Sequence, residues 1–115
     1  IEDRGGAKGR IEQSLIVEIE TGFAIVTGCS HPGIIAVIKK ANDIIPDKKA
    51  LLVIGGFHEG SAYPDRSLEF LNELKSLGVE KIGPSHCTGE KFIKAAKEHM
   101  GTDHISVGVG MLIKL

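Results

Sequence analysis

Histidine and cysteine side chains recur close to the ends of short apolar segments in this sequence. Three of the five histidines, His31, His58 and His86, each follow such a segment by a few residues. Cys29 and Cys87 lie beside two of these histidines. Imidazole and thiolate are ligands that zinc prefers, and imidazole is also the side chain best suited to move protons near neutral pH. The pattern therefore predicts metal binding or proton transfer, provided that the fold brings these segments together.

The apolar segments alternate with helical patterns. The predicted strands are 23–28, 51–55, 79–83 and 105–109. Between them, apolar residues recur with the spacing of a helix face: Ile34, Val37, Ile38 and Ala41; Leu68, Leu71, Leu74 and Leu77; Phe92, Ala95 and Ala96. Thr88 is the predicted N-cap of the third helix and Gly78 the C-terminal cap of the second. Strand, helix and strand repeated three times indicate three βαβ units with parallel strands.

An N-terminal hairpin precedes these units. Residues 14–20 are rich in β-branched side chains and lead through Thr21 and Gly22 directly into the next strand, which is typical of two antiparallel strands joined by a tight turn. The glycine-rich residues 1–13 have no apolar period and predict an irregular loop. We therefore expect an α/β fold with a mixed sheet, formed by a single domain over 14–115.

Parallel strands place their carboxyl ends on one edge of the sheet, where ligands of α/β proteins usually bind. The three segments that carry His31, His58 and His86 all leave strands at that edge. His99 and His104 lie at a helix end and before a strand, so they are expected at the opposite edge. The sequence thus predicts one histidine-rich site rather than five scattered side chains.

Composition limits the class of protein. The 115 residues are 42% hydrophobic and 25% charged, and the formal net charge is -1. This balance excludes a disordered chain and offers no electrostatic reason to expect nucleic acid or an anionic membrane as a partner. No apolar stretch approaches the length of a membrane span, and no signal-peptide pattern is present. Two cysteines outside any disulfide framework favour a reducing, cytoplasmic setting.

Four motifs in order resemble the C-terminal half of the metallo-β-lactamase superfamily. They are Glu12-Gln13-Ser14-Leu15, Thr27-Gly28-Cys29-Ser30-His31-Pro32-Gly33-Ile34, Gly55-Gly56-Phe57-His58 and Pro84-Ser85-His86-Cys87-Thr88-Gly89. The most similar branch is that of the dihydropterin ribofuranosyl-aminobenzene 5′-phosphate synthases. The resemblance implies half of an αββα sandwich, with one or two metal ions at the rim where the two sheets meet.

The resemblance also implies residue roles. His86 is similar to the last histidine ligand of the family, and either Cys29 or His31 stands where the family has an acidic or thiol ligand. His58 is similar to a histidine that handles protons or substrate. Zinc is the implied metal, with iron or manganese as alternatives. The implied reaction is attack of metal-activated water on an ester or phosphoester of a small molecule, including phosphorylated ones.

One family element is absent from this sequence. The His-x-His-x-Asp-His cluster, which supplies most metal ligands, does not occur, and the chain begins at Ile1. We therefore expect the second half of a longer enzyme, which alone binds metal weakly and catalyses little. We also expect an open apolar sheet face, covered by the missing N-terminal half or by a second copy of the chain.

Other interpretations remain open on the residues alone. A nucleotide-binding α/β domain is disfavoured because no phosphate-binding glycine motif follows a strand. A non-catalytic interaction module would keep the scaffold without the chemistry. Cys29 and Cys87 can equally serve as small buried packing residues.

Overall fold

One mixed sheet organises the molecule, with its four strands in the order β1-β2-β3-β4. The computed structural model describes residues 12–58, 64–85 and 88–115. The strands are β1 (Ser14–Ile19), β2 (Gly22–Thr27), β3 (Ala50–Gly56) and β4 (Lys81–Ser85). The helices are α1 (Ile34–Ile44), α2 (Pro64–Ser76) and α3 (Glu90–Met100), and a short 3₁₀ helix follows at Gly101–Asp103.

The strand directions are those predicted from the sequence. β1 pairs antiparallel with β2 as a hairpin, whereas β2 with β3 and β3 with β4 are parallel pairs. Helices α1 and α2 make the crossovers between these parallel strands. The α/β class and the mixed sheet with its N-terminal hairpin are therefore confirmed.

All three helices pack on the same face of the sheet. Alternate strand residues point to this face, and Phe23, Ile25, Val53 and Ile82 are fully buried there. The helices contribute buried residues to the same cluster: Ile34, Val37, Ile38 and Ala41; Leu71 and Leu74; Phe92, Ala96 and Met100. Burial of each large apolar side chain contributes about 1.5–3 kcal/mol, so this face holds the core.

The opposite face of the hairpin strands is apolar and exposed. Leu15 and Val17 on β1 are 60% and 42% exposed, and Val26 on β2 is 39% exposed. Leu15 is the cross-strand partner of Val26, which makes these side chains neighbours on one surface. No described helix covers them.

The predicted last strand is reduced to a single contact. His104 forms an isolated parallel bridge with Ile82, and the Ile105 N–H donates to the Ile82 carbonyl at 2.8 Å. The chain then leaves the edge of β4 and crosses the open face. Val107 packs over Gly83 on that face, since a Cβ built on Gly83 would lie 2.5 Å from Val107 Cγ2. Gly108 and Gly110 weaken further strand pairing, so the third βαβ unit ends in a bridge rather than in a strand.

Two details of the predicted helices are wrong. Leu68 is 43% exposed, because the buried face of α2 runs through Ser67, Leu71 and Leu74, which are spaced at four and three residues. Thr88 is not the N-cap of α3: Gly89, with φ of 91°, holds that position, and Thr88 is fully buried before it. The predicted cap Gly78 does adopt a left-handed φ of 86°. None of the described helices has the length and apolar character needed to cross a bilayer.

Candidate active site

Two of the predicted site histidines meet at the carboxyl edge of the parallel strands. His31 follows β2, His58 follows β3, and their ring centroids lie 4.5 Å apart with an interplanar angle of 57°. The two residues are neighbours because β2 and β3 are adjacent parallel strands that end at the same level. The juxtaposition expected for this pair is therefore present.

The backbone between these strand ends is held unusually close. The Gly56 N–H donates to the Gly28 carbonyl at 2.7 Å, which extends the contact between the two strands beyond Thr27. Gly55 has a φ of 128°, and a Cβ at this position would lie 2.1 Å from the Thr27 carbonyl oxygen. Only glycine fits both this φ and this approach, so Gly55 sets the spacing between the two histidine-bearing loops.

Ser30 shapes the loop that carries His31. It is 1% exposed and has a left-handed φ of 58°, and its carbonyl accepts the Gly33 N–H at 2.8 Å to close a tight turn. Its hydroxyl is hydrogen-bonded to that of Thr27 at 2.9 Å, and Thr27 is in turn bonded to Ser14 at 2.9 Å. This row of hydroxyls ties the loop to the hairpin.

Glu12 makes two hydrogen bonds to His31. Its Oε2 accepts the His31 backbone N–H at 3.0 Å, and its Oε1 is hydrogen-bonded to the ring Nδ1. The side chains of His31 and Glu12 are 27% and 20% exposed, so solvent screens this pair less than a pair on an open surface. The carboxylate contacts both the backbone and the ring of a single residue.

Phe57, the residue before His58, is buried and anchors the backbone that carries His58. His58 is exposed and has a φ of 48°, whereas Phe57 is fully buried and its ring packs edge-on against Phe92 at a centroid distance of 6.1 Å. The Phe57 N–H donates to the Thr88 hydroxyl at 2.9 Å, and that hydroxyl donates to the Ser85 carbonyl at 2.6 Å. Thr88 therefore joins the end of β3 to the end of β4.

The remaining predicted residues fall in three places. Cys29 is half-buried in the loop before Ser30. His86 and Cys87 lie outside the described residues. His104 pairs with Ile82 near the start of β4, at the edge opposite Ser85, and His99 is exposed in the last turn of α3. Within residues 12–58, 64–85 and 88–115, no group of three or more His, Cys, Asp and Glu side chains is arranged to hold a metal ion.

The opposite edge gives its histidine a different environment. Burial lowers the pKa of His104 below its ordinary value, and the positive charge of Lys97 lowers this pKa further. Its Nε2 is buried and has no hydrogen-bond partner among the described residues. These surroundings disfavour the charged form of His104, which lies away from the pair formed by His31 and His58.

Sequence reasoning did not assign site roles to Glu12 and Ser30, and it predicted Thr88 only as a helix cap. Glu12 and Ser30 belong to the motifs that carry the family resemblance, but neither lies at a spacing from His31 that would reveal a contact. The Glu12–His31 contact spans 19 residues along the chain and depends on the hairpin geometry. The position of Thr88 before a helical pattern predicted a cap, and it did not indicate that the Thr88 hydroxyl joins the ends of β3 and β4.

Comparisons with known proteins confirm the class that the motifs indicate. In the structural comparison, this chain superposes on the crystal structure of a metal-dependent hydrolase of the β-lactamase superfamily with a TM-score of 0.79 and 27% identity. The match covers 89% of this chain and 40% of that hydrolase. The resemblance to the metallo-β-lactamase superfamily is therefore confirmed at the level of fold and sequence together.

The sequence comparison reaches the branch named above. The chain is 41% identical over 103 residues to the 7,8-dihydropterin-6-methyl-4-(β-D-ribofuranosyl)-aminobenzene-5′-phosphate synthase of Methanocaldococcus jannaschii. The match covers 90% of this chain and 35% of the synthase, so the chain spans about a third of the length of this curated relative. No protein-family model matches the chain.

Proposed function

We propose that this chain supplies the paired histidines of an active centre in a metal-dependent hydrolase or related synthase. The single observation that carries the proposal is the approach of the His31 and His58 rings to 4.5 Å at the carboxyl edge of parallel strands. Such an edge is where α/β proteins bind ligands. The similarity to a metal-dependent hydrolase and to a synthase supports the same proposed function.

The described residues do not make a metal centre by themselves. They offer two neighbouring imidazoles and a half-buried thiol, whereas a catalytic zinc site takes about three protein ligands. We propose that His31, Cys29 and His86 contribute to the ligand set and that residues beyond this chain complete it. Zinc suits nitrogen and sulfur donors best, with iron or manganese as alternatives.

His58 is proposed as the group that handles protons or contacts substrate. Its ring is exposed, which leaves it accessible to a bound molecule, and its backbone is anchored through Phe57. An imidazole in this position can accept or donate a proton near neutral pH. The proposed substrate is a small molecule with an ester or phosphoester bond, and the phosphate in the name of the synthase relative supports a phosphorylated one.

The exposed face of the hairpin is proposed as the contact surface for the rest of the enzyme or for a second copy of this chain. Leu15, Val17 and Val26 form an apolar patch there, and apolar patches without a cover often mark interfaces. We expect the isolated chain to self-associate at micromolar concentration and the double variant Leu15→Lys/Val17→Lys to do so less. A monomeric wild-type chain in sedimentation experiments would contradict this part of the proposal.

A cytoplasmic setting is proposed on cysteine usage. Two cysteines in 115 residues do not form a disulfide framework, and a thiol such as Cys29 serves as a ligand only when reduced.

Metal titration of the chain tests the proposed centre. Isothermal titration with zinc is expected to give weak binding, with a dissociation constant above the micromolar range, because the ligand set is incomplete. His31→Ala should reduce this binding further, whereas the control His99→Ala changes a histidine on the distant end of α3 and should leave it unchanged. Equal affinity of His31→Ala and wild type would contradict the role of His31, and submicromolar affinity would contradict an incomplete ligand set.

A further inference from the structure

The contact between Glu12 and His31 uses both oxygens of one carboxylate on one residue. Oε2 accepts the backbone N–H at 3.0 Å while Oε1 is bonded to the ring Nδ1. We propose that Glu12 is a positioning residue that fixes the orientation and the tautomer of the His31 imidazole. No catalytic role is assigned to Glu12, because the proposed effect is on the orientation of the His31 ring.

The chemistry of the two groups determines the tautomer. A carboxylate accepts hydrogen bonds and donates none, so the ring nitrogen that faces it must carry the hydrogen. In the neutral ring, Nδ1 is then the donor and the lone pair lies on Nε2. Histidines that bind metals are commonly oriented in this way, with a carboxylate on the nitrogen that does not bind the metal.

The backbone of His31 is constrained on both sides. His31 lies inside the turn that is closed by the Ser30 carbonyl and the Gly33 N–H, and Ser30 itself is buried and has a left-handed φ. Glu12 adds a second anchor at the His31 N–H. Because these two hydrogen bonds hold the main chain, the bond at Nδ1 sets the direction in which Nε2 points. The ring of His58 lies 4.5 Å away on the same edge.

The use of Nε2 for a metal ion or a proton rests on the proposed function, but the tautomer itself does not. A purely structural role for Glu12 would be to tie the segment before β1 to the loop after β2. That role would affect stability without any preference between ring nitrogens. A measurement that reports the ring nitrogens directly therefore distinguishes positioning from structural support.

Nitrogen-15 NMR of the imidazole rings tests the proposal. In the wild-type chain, under conditions where the ring is neutral, the two-bond nitrogen–proton correlations of His31 should show the Nδ1–H form. Glu12→Ala should abolish this preference. Glu12→Gln should weaken it, because the amide has one acceptor oxygen for two N–H donors: where that oxygen accepts the His31 backbone N–H, the amide N–H₂ faces Nδ1 and favours the Nε2–H form. Glu18→Gln is the matched control, since Glu18 lies on β1 and pairs with Lys48 rather than with a histidine.

The result that overturns the proposal is the Nε2–H form at His31 in the wild-type chain, or the Nδ1–H form retained in Glu12→Ala. The wild-type spectrum is decisive even if Glu12→Ala does not fold. Zinc titration of the same proteins separates this proposal from the proposed function: loss of an outer carboxylate partner should weaken zinc binding about 10- to 100-fold. If no protein in the set binds zinc, the proposed centre is contradicted, while the tautomer measurement still decides the role of Glu12.

Discussion

Histidine side chains lie in contrasting environments at the two edges of the parallel sheet. At the carboxyl edge, His31 and His58 lie 4.5 Å apart, and one of them is hydrogen-bonded to a carboxylate. At the amino edge, His104 lies beside Ile82 with its Nε2 buried and its pKa lowered by burial and by Lys97. Two imidazoles therefore lie together at the carboxyl edge, one of them bonded to a carboxylate, whereas the His104 imidazole at the amino edge has no described hydrogen-bond partner at Nε2. Strand direction, rather than residue type, therefore separates the candidate site from a packed histidine.

The backbone follows the same division. At the carboxyl edge, the non-glycine residues Ser30 and His58 adopt left-handed φ values, and side-chain hydroxyls join adjacent strand ends. At the amino edge, the left-handed position described before β4 is a glycine, Gly78, and the contacts include the Glu80 N–H bonded to the Ala50 carbonyl at 3.0 Å and the exposed pair of Lys49 with Glu80. Changes at the carboxyl edge should therefore be the more damaging.

Gly55→Ala should have the largest effect. The left-handed φ costs alanine about 1–3 kcal/mol, and overlap of its Cβ with the Thr27 carbonyl adds about 1–3 kcal/mol more. Urea denaturation should show a loss of about 3 kcal/mol or more, or an unfolded chain. The matched control is Gly28→Ala on the same edge, where a Cβ meets nothing within 4 Å. Similar stability of the two variants would contradict the close approach of β2 and β3.

Thr88→Val should have the next largest effect. Valine keeps the volume but removes the hydroxyl, which leaves the Phe57 N–H without its acceptor and the Ser85 carbonyl without its donor in a buried setting. The expected loss is about 1–3 kcal/mol in the free energy of unfolding, measured by urea denaturation. Thr102→Val, at an exposed position of the 3₁₀ helix, is the control. An equal effect of the two substitutions would remove the distinction between a bridging and a surface threonine.

Acidification should destabilise the fold through His104. Because its pKa in the folded chain lies below the ordinary value of 6.5, the unfolded chain binds the proton first as the pH falls. The free energy of unfolding should therefore decrease with falling pH below that value, and His104→Gln should make this decrease shallower between about pH 7 and pH 5. Denaturation curves at several pH values measure the slope. An unchanged slope in the variant would contradict the effect of burial at this edge.

Glu80→Gln should have the smallest effect. Lys49 and Glu80 are 58% and 42% exposed, and exposed ion pairs contribute between zero and about 1 kcal/mol. The melting midpoint should change little, and it should respond to salt no more than that of the wild type. A loss as large as that of Thr88→Val would show that the amino edge is as tightly constrained as the carboxyl edge.

The pattern of strands and helices was predictable because each element carries its own local signal. The hairpin turn at Thr21 and Gly22, the helix face of Ile34 to Ala41 and the cap at Gly78 each depend on residues close together in the chain. The last strand was mispredicted for a tertiary reason: Val107 packs over Gly83 on the open face rather than pairing along the edge of β4. Periodicity reports which residues are apolar, but it does not report which surface they will cover.

By itself, the sequence determined the α/β class, the direction of the parallel strands and hence the edge at which His31 and His58 emerge, since these follow from local patterns and from the handedness of βαβ units. Only the tertiary structure decided that Glu12 contacts His31 and that Thr88 bridges two strand ends. Both are contacts between residues far apart in the chain, whose geometry depends on how the hairpin and the loops pack. A hydrogen bond needs its two atoms placed to within a few tenths of an ångström, and no pattern of residue types carries that information.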